Sequence, residues 1–256
     1  MAKKSRADEN LTDTKPTVHR SAIAGRSVGR QARNAPLAAM TRRVAAIDER
    51  LAEEFPEAAC ALQFESPLQL LVATILSAQC TDVRVNMVTP TLFAEFPTAR
   101  DFADVPQEVL EDRIHSTGFF RNKAKNIIAT CREIVRHHGG EVPADFDLLT
   151  SLPGVGRKTA NCVLGNGFGI AEGVVVDTHV IRLSRRLGLV PPDEKNPERI
   201  EAVLTQLVPQ EHWIRFSHEL ILHGRRTCNA RRPDCEHCCI AEWCSSAKME
   251  EKPGKK

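Results

Sequence analysis

Residues 148–164, LLTSLPGVGRKTANCVL, form the stretch of sequence that decides the fold. A short apolar helix runs into the turn LPGVG (152–156), and a second helix begins at Arg157. Gly154 and Gly156 let the backbone take positive φ angles and approach a ligand closely. The free N–H groups at the start of the second helix suit a phosphate oxygen. The pattern predicts a helix-hairpin-helix clamp on the DNA backbone, with an ordinary αα-corner as the alternative.

Lys158 lies in the first turn of the second predicted helix. A cation at this position is disfavoured by the helix dipole. An amine that has lost its proton is a nucleophile and can form a Schiff base. The alternative is a surface lysine that contacts phosphate.

Asp177 follows an apolar run in VVVDTH (174–179) and precedes a predicted helix at 180–187. Aspartate is a good N-cap residue, which is a purely structural explanation. A carboxylate beside an apolar wall can also accept a proton or stabilise positive charge on a sugar ring. The sequence leaves both explanations open.

Five of the nine cysteines fall within residues 228–244. Four follow the spacing Cys228-x6-Cys235-x2-Cys238-x5-Cys244, with Cys239 left over. Four thiolates in one short segment suit tetrahedral zinc or an iron–sulfur cluster, and a single CxxC pair favours the cluster. The other four are interpreted as small buried hydrophobic residues: Cys60, Cys80, Cys131 and Cys162.

Length and composition limit the classes of protein that this sequence can form. The 256 residues are 42% hydrophobic and 27% charged, which excludes a wholly disordered protein and allows one large or two compact domains. The longest apolar run, 70–76, is far shorter than the ~20 residues of a membrane span. The charged N-terminus lacks the apolar segment of a secretory signal, so a reducing cytoplasm is expected.

The net charge of +2 is unevenly distributed, because residues 1–38 carry eight Lys or Arg against three Asp or Glu. The remaining basic residues are clustered, either as a phosphate-tracking face or as solvated helix surfaces. These clusters are Arg121, Lys123 and Lys125; Arg157 and Lys158; Arg182, Arg185 and Arg186; and Arg225, Arg226, Arg231 and Arg232.

Helix signals recur along the chain. Ser66-Pro67 supplies an N-cap and a first-turn proline, with Gln69 as the capping-box partner. Further helices are predicted after Val105-Pro106, over 122–138, after Asn196-Pro197 and over 213–222. The β-branched run 174–176 has no comparable partner and is interpreted as a buried extended segment. The sequence therefore predicts a predominantly α architecture.

Three motifs stand in one order: LPGVGRKTAN (152–161), VDTH (176–179) and the cysteine spacing over 228–244. This combination resembles the endonuclease III family, bifunctional DNA glycosylases and AP lyases of the helix-hairpin-helix superfamily. The resemblance covers about residues 39–248. It implies an all-α fold of two helical domains with a DNA-binding cleft between them.

In that family fold, residues 60–170 would form a six-helix barrel that contains the helix-hairpin-helix at 148–164. Residues 39–59 and 171–248 would form a discontinuous iron–sulfur cluster domain. Outside the resemblance, residues 1–38 are rich in Ala, Arg, Ser and Lys without apolar periodicity and are predicted to be a flexible basic tail, and residues 249–256 a charged C-terminal tail.

The resemblance also implies roles for the central residues. Lys158 would attack C1′ of the damaged nucleotide, displace the base and form a Schiff base, after which β-elimination cuts the strand. Asp177 would assist deprotonation of the lysine or stabilise the sugar cation. The implied ligands of a [4Fe–4S] cluster are Cys228, Cys235, Cys238 and Cys244, and Cys239 has no counterpart.

Contacts with DNA are implied at several other positions. Gln79 would enter the space left by the extruded nucleotide, and Phe119 would wedge into the opposite strand, where the best-known members have leucine. The alternative for Phe119 is packing beneath Phe120. The implied phosphate contacts are Gly154, Val155 and Gly156 of the hairpin, with Arg231 and Arg232 of the loop between the first two cysteines.

The implied substrate is double-stranded DNA with oxidised pyrimidines or abasic sites, handled by a monomer without any membrane association. Two alternatives stay open. An adenine-type monofunctional glycosylase shares the hairpin, the aspartate and the cluster but works without the lysine. A non-catalytic DNA-binding module would use the cysteines to hold zinc.

Overall fold

The computed structural model describes residues 28–247, and for residues 28–36 only the backbone of the first helix. Within this range the chain forms α-helices joined by short 3₁₀ turns and one π-turn, with no β-strand. The α-helices are α1 (Val28–Glu54), α2 (Pro67–Leu76), α3 (Asp82–Glu95), α4 (Ala99–Asp104), α5 (Gln107–Ile114), α6 (Phe120–His137), α7 (Phe146–Ser151), α8 (Arg157–Val163), α9 (Thr178–Arg186), α10 (Pro197–Leu207) and α11 (Trp213–Arg226). The all-α prediction is confirmed for the described residues.

Side-chain caps fix where several helices begin. Ser66 caps α2 by accepting the backbone N–H of Gln69, and Asn196 caps α10 directly before its first-turn proline. Both starts are confirmed. The Gln69 side chain differs from the prediction, because its Oε1 accepts the N–H of Glu65 at 2.8 Å and not that of Ser66.

The N-terminal boundary of the fold differs from the sequence interpretation. Helix α1 begins at Val28, inside the segment 1–38 that was predicted to be a flexible tail. The remainder of that tail, residues 1–27, and the predicted C-terminal tail, 249–256, lie outside the described residues. None of the helices in residues 28–247 is long and apolar enough to cross a bilayer.

Two hydrophobic cores organise residues 38–247, which belong to one compact unit. The first core is built from α2 to α8 and includes the fully buried Leu70 and Phe102. The second is built from α1 and α9 to α11 and includes the fully buried Ile47 and Phe216. Each fully buried leucine or phenylalanine contributes about 2 kcal/mol. The predicted assignment of 60–170 to one domain and of 39–59 with 171–248 to another stays a prediction.

The segment 174–176 links the two cores without forming a strand in the described chain. Val174 is completely buried in the second core, as predicted for an extended apolar segment. The backbone N–H of Val175 is satisfied by the hydroxyl of Ser217 on α11 at 3.0 Å. This connection holds Asp177 at the start of α9, close to α8 of the first core.

Candidate active site

Lys158 and Asp177 line the same pocket. Lys158 is exposed in the first turn of α8, whereas Asp177 is half-buried at the N-cap of α9. The pocket has about 680 Å³ of empty space that is partly open to solvent. An amine and a carboxylate from different helices therefore meet at one cavity of a size that suits a small ring.

Asp177 is the N-cap of α9, as predicted. Its Oδ1 accepts the N–H groups of His179 at 2.8 Å and Val180 at 2.9 Å. Within residues 28–247, no hydrogen bond to Oδ2 is formed by another group of the protein. The cap and a chemical role at the pocket are therefore compatible, although the sequence presents them as alternatives.

His218 is a pocket residue that the sequence analysis missed. Its Nε2 lies 2.7 Å from Oδ1 of Asn166, whose amide NH₂ donates to the Cys162 carbonyl at 2.9 Å. This second bond orients the amide, so His218 carries its proton on Nε2 and donates it. Burial lowers the pKa of His218, which keeps the ring neutral near pH 7. No local spacing in the helix 213–222 distinguishes this histidine from its neighbours.

An ion pair closes another side of the pocket. Arg225 of α11 donates to Asp82 of α3 at 2.7 Å, and both residues line the cavity. These residues are 143 positions apart in the chain, so the sequence contains no local signal of the pair. Two thiols, Cys60 and Cys162, also line this pocket and are only half-buried. Of the four cysteines predicted to be buried hydrophobic residues, Cys131 is fully buried, whereas Cys60 and Cys80 pack partly buried against the first core.

Several arginines of the predicted basic clusters are occupied within the protein. Arg157 pairs with Glu201 at 2.8 Å, and Arg226 pairs with Glu57 at 2.8 Å. Arg182 donates to the carbonyls of Gly224 at 2.7 Å and Cys228 at 3.0 Å. For these arginines the structure therefore shows a third role, internal ion pairs and hydrogen bonds, beside the phosphate-tracking face and the solvated helix surface that the sequence suggested.

Gln79 and Phe119 are the two non-glycine residues with positive φ in the described part of the chain, at 53° and 49°. Both are exposed, Phe119 to 63%. A left-handed conformation costs a residue of this kind about 1–3 kcal/mol and is concentrated at functional sites. The alternative that Phe119 packs beneath Phe120 is wrong, because the Phe119 side chain is largely exposed while the Phe120 ring lies against His115, with ring centroids 4.4 Å apart.

Lys123 connects the segments that carry these two residues. Its Nζ donates to the carbonyl of Leu76 at 2.8 Å and to the carbonyl of Thr117 at 2.8 Å. Only 4% of Lys123 is exposed, and burial lowers its pKa. The sequence placed Lys123 in a surface cluster, whereas the structure places it inside as a brace between two turns.

The predicted hairpin lies between α7 and α8. Gly154 has φ +76°, and a Cβ there would come within 2.7 Å of the Asn126 side chain. Val155 is buried, which anchors the turn to the first core. Gly156 has ordinary φ, and a Cβ there would meet no protein atom within 4 Å. Nothing in the fold requires glycine at 156, so the open space beside it suits close approach by a ligand.

The four cysteines of the predicted ligand set line one small pocket, and Cys239 does not. Arg186 donates from Nη1 to the Cys228 sulfur at 3.2 Å, and His223 Nε2 lies 3.5 Å from the Cys238 sulfur. Among the described residues, no three Cys, His, Asp or Glu side chains converge on a point that could hold one metal ion.

The loop between Cys228 and Cys235 is tied to the same arginine. Arg186 also donates to the carbonyls of Asn229 and Ala230, each at 2.8 Å. Arg231 and Arg232 of this loop are both exposed. The loop therefore presents two cations while its backbone is held against α9.

Comparison with known proteins identifies the class. The family model of HhH-GPD superfamily base excision DNA repair proteins matches residues 72–210, which include Gln79, Phe119, Lys158 and Asp177. This chain is a base excision DNA repair protein of that superfamily.

The particular family follows from individual relatives. Endonuclease III of Synechocystis sp. is 55% identical over 193 residues, 75% of this chain and 87% of the relative. A solved non-covalent Endonuclease III–DNA complex is 41% identical with a TM-score of 0.78, covering 83% of this chain and 99% of that chain. A trapped Endonuclease III–DNA covalent intermediate is 41% identical with a TM-score of 0.78, covering 82% and 98%. The chain belongs to the endonuclease III family.

Proposed function

We propose that the pocket receives a damaged pyrimidine nucleotide turned out of duplex DNA, and that Lys158 attacks its C1′ atom. The observation that carries this proposal is the meeting of Lys158 and Asp177 at one open pocket. A base inside the duplex is out of reach of such a pocket, so the nucleotide has to leave the base stack first. The covalent Endonuclease III–DNA intermediate solved for a relative supports a nucleophilic mechanism.

The chemistry divides between two side chains. The unprotonated Lys158 amine bonds to C1′, and the electrons of the N-glycosidic bond leave with the base, which gains a proton. Opening of the sugar ring produces the Schiff base, and loss of a C2′ proton then expels the 3′ phosphate by β-elimination. Water hydrolyses the Schiff base and frees Lys158. Asp177 accepts the lysine proton or stabilises positive charge on the sugar.

The DNA is held on both sides of the pocket. We infer that the hairpin from Gly154 to Gly156 and the N-terminus of α8 bind backbone phosphate, because this turn offers N–H groups and open space. Gln79 fills the gap left by the extruded nucleotide, and the exposed Phe119 ring wedges into the opposite strand. Arg231 and Arg232 add phosphate contacts that weaken as salt rises.

The four cysteines that share a pocket suit a [4Fe–4S] cluster, and we propose that they hold one. Each thiolate of such a cluster binds a different iron, so the sulfurs need not converge on one point. The N–H donor of Arg186 at the Cys228 sulfur stabilises a negatively charged ligand. When bound, the cluster supplies structure to the loop of Arg231 and Arg232, since base removal needs no electron transfer. A zinc-loaded, colourless protein would contradict this assignment.

Borohydride trapping tests the catalytic proposal. Borohydride reduces a Schiff base to a stable amine, so wild-type protein and a duplex with one thymine glycol or one abasic site should give a covalent adduct. K158Q should give none, whereas K195Q, which removes an exposed lysine that does not line the pocket, should trap normally. Base release without any adduct would favour a monofunctional glycosylase of the adenine type. DNA binding without base release would favour a non-catalytic module.

The setting of this activity follows from the same proposal. We infer that the protein acts as a monomer on duplex DNA in a reducing cytoplasm, where its free thiols persist. A panel of duplexes, each with one defined oxidised pyrimidine, measures the lesion range.

A further inference from the structure

Two cysteines that the proposed reaction does not use lie at the wall of the active-site pocket. Cys60 belongs to the loop between α1 and α2, and Cys162 lies on α8, one helical turn after Lys158. Both are free and partly accessible, unlike Cys131, which is completely buried in the first core. Because both side chains line the pocket, a chemical change at either sulfur would alter the wall of the pocket beside Lys158.

The two thiols interact with each other. The Cys60 and Cys162 side chains line the same pocket, although they come from distant parts of the chain, and their interaction is the largest influence on the pKa of each thiol. The amide of Asn166 lies 3.7 Å from the Cys162 sulfur as a further donor. The two thiols therefore lie on one side of the pocket wall, close enough for each to influence the other, and joining them requires a movement of the Cys60 loop.

The environment distinguishes the two sulfurs. The interaction with Cys60 lowers the pKa of Cys162 against the opposing effect of burial, and the positive charge of Lys158 acts in the same direction as that interaction. The same interaction raises the pKa of Cys60, with burial adding to the effect. Cys162 is thus the more easily ionised thiol of the two, and a thiol of this kind reacts first while its neighbour resolves the product.

We propose that Cys60 and Cys162 are a site of reversible oxidation by hydroperoxides, which joins them in a disulfide beside Lys158. The Cys162 thiolate attacks one oxygen of hydrogen peroxide, forming a sulfenic acid and releasing hydroxide. The Cys60 sulfur then attacks the Cys162 sulfur, and water leaves with the proton of Cys60. The two thiols are oxidised by two electrons, and the peroxide is reduced to water and hydroxide.

The disulfide changes the pocket. A sulfur–sulfur bond of about 2.05 Å is much shorter than a thiol contact, so it pulls the Cys60 loop toward α8 and fixes it there. Lys158 stands one turn away on the same helix and has to reach C1′ accurately. A misplacement near 1 Å can reduce a rate by about 100-fold. This consequence rests on the proposed function of Lys158, whereas formation of the disulfide does not.

The covalent change is tested first. Holoprotein is treated with hydrogen peroxide, its remaining thiols are alkylated, and its peptides are analysed by mass spectrometry without reduction. We expect a peptide pair joined through Cys60 and Cys162 that disappears after dithiothreitol. Absence of this pair, under conditions where Cys162 is no longer alkylated as a free thiol, would overturn the proposal.

The functional consequence is tested on the same samples. Borohydride trapping by oxidised wild type should fall by about tenfold or more and recover with dithiothreitol, while the visible absorption of the cluster stays constant. Each variant is compared with its own reduced form. The double variant C60S/C162S should show no peroxide effect, whereas C131A should respond like wild type.

The outcomes separate the two proposals. If peroxide reduced DNA trapping by C60S/C162S as much as by wild type, the responsible oxidation would lie elsewhere, and the disulfide proposal would be overturned. A disulfide that leaves trapping unchanged would show that the bond does not affect the pocket. Reduced wild type that forms the disulfide normally but traps no DNA would refute the proposed function instead.

Discussion

Asp177 shows how one side chain serves the fold and the pocket together. Its Oδ1 satisfies two backbone N–H groups at the start of α9, and no group of the described protein donates to Oδ2. Because both hydrogen bonds go to one oxygen, the carboxylate is held rigidly while its other oxygen is available. A fixed charge beside a reacting sugar is more effective than a mobile one, since it needs no reorganisation during the reaction.

The two tasks can be separated by substitution. D177N keeps an Oδ1 acceptor for the cap and loses the charge, so its free energy of unfolding should stay within about 0.5 kcal/mol of wild type. Its single-turnover rate of base release should fall by about 100-fold or more. D177A also removes the cap and should be less stable by about 1 kcal/mol. Wild-type turnover by D177N would leave the carboxylate with only its structural role.

The hairpin between α7 and α8 contains two glycines with different physical requirements. Gly154 is demanded by the fold, since its φ is +76° and Asn126 occupies the space of a side chain. Gly156 is not demanded by the fold, since no protein atom lies within 4 Å of the Cβ position. The second glycine is explained if a phosphate oxygen approaches the backbone there.

This distinction predicts that an added methyl group affects mainly stability at position 154 and mainly DNA binding at position 156. G154A should lower the free energy of unfolding by about 2 kcal/mol or more through backbone strain and overlap with Asn126. G156A should cost no more than about 1 kcal/mol and should weaken binding to an abasic duplex about tenfold. Urea unfolding and fluorescence anisotropy measure the two quantities. Wild-type affinity of G156A would mean that phosphate does not bind at this turn.

Lys123 stabilises the arrangement of two helices, because its side chain joins the end of α2 to the turn before α6. K123M leaves the carbonyls of Leu76 and Thr117 without their buried donor, so we expect a loss of about 2 kcal/mol in stability. The strained turns at Gln79 and Phe119 should open more often, seen as faster amide hydrogen exchange at 77–80 and 117–120. K125M, an exposed neighbour on α6, is the matched control and should change neither measurement.

At the scale of the molecule, the sequence predicted features that depend on neighbouring residues better than features that depend on contacts between distant segments. Ser66, Asn196 and Asp177 mark helix starts because a capping side chain acts within three residues of its own position. His218 and the Asp82–Arg225 pair could not be predicted, because the pocket joins segments that are distant along the chain. The family resemblance supplied Lys158 as nucleophile, which composition and periodicity alone left beside a surface-lysine alternative.

The C-terminal segment completes the second core, and the proposed cluster would hold that segment in place. Ile240 and Cys244 are buried in this core, and the backbone N–H of Ser246 donates to the Arg186 carbonyl at 3.1 Å. Arg186 also contacts the Cys228 sulfur and the loop of Arg231 and Arg232. Loss of the cluster should therefore affect stability and DNA binding together, although no step of the proposed reaction uses the cluster.

Adjacent cysteines make this prediction testable with a one-residue control. C238S removes a proposed ligand and should lose the broad visible absorption of the cluster, lower the melting temperature by roughly 5–10 °C and weaken duplex binding. C239S changes a thiol outside the pocket of the four cysteines and should keep the absorption and the affinity. The reason is that Cys239 does not line the pocket that the other four sulfurs share. Full iron content in C238S, or loss of iron in C239S, would show that the ligand set is wrong.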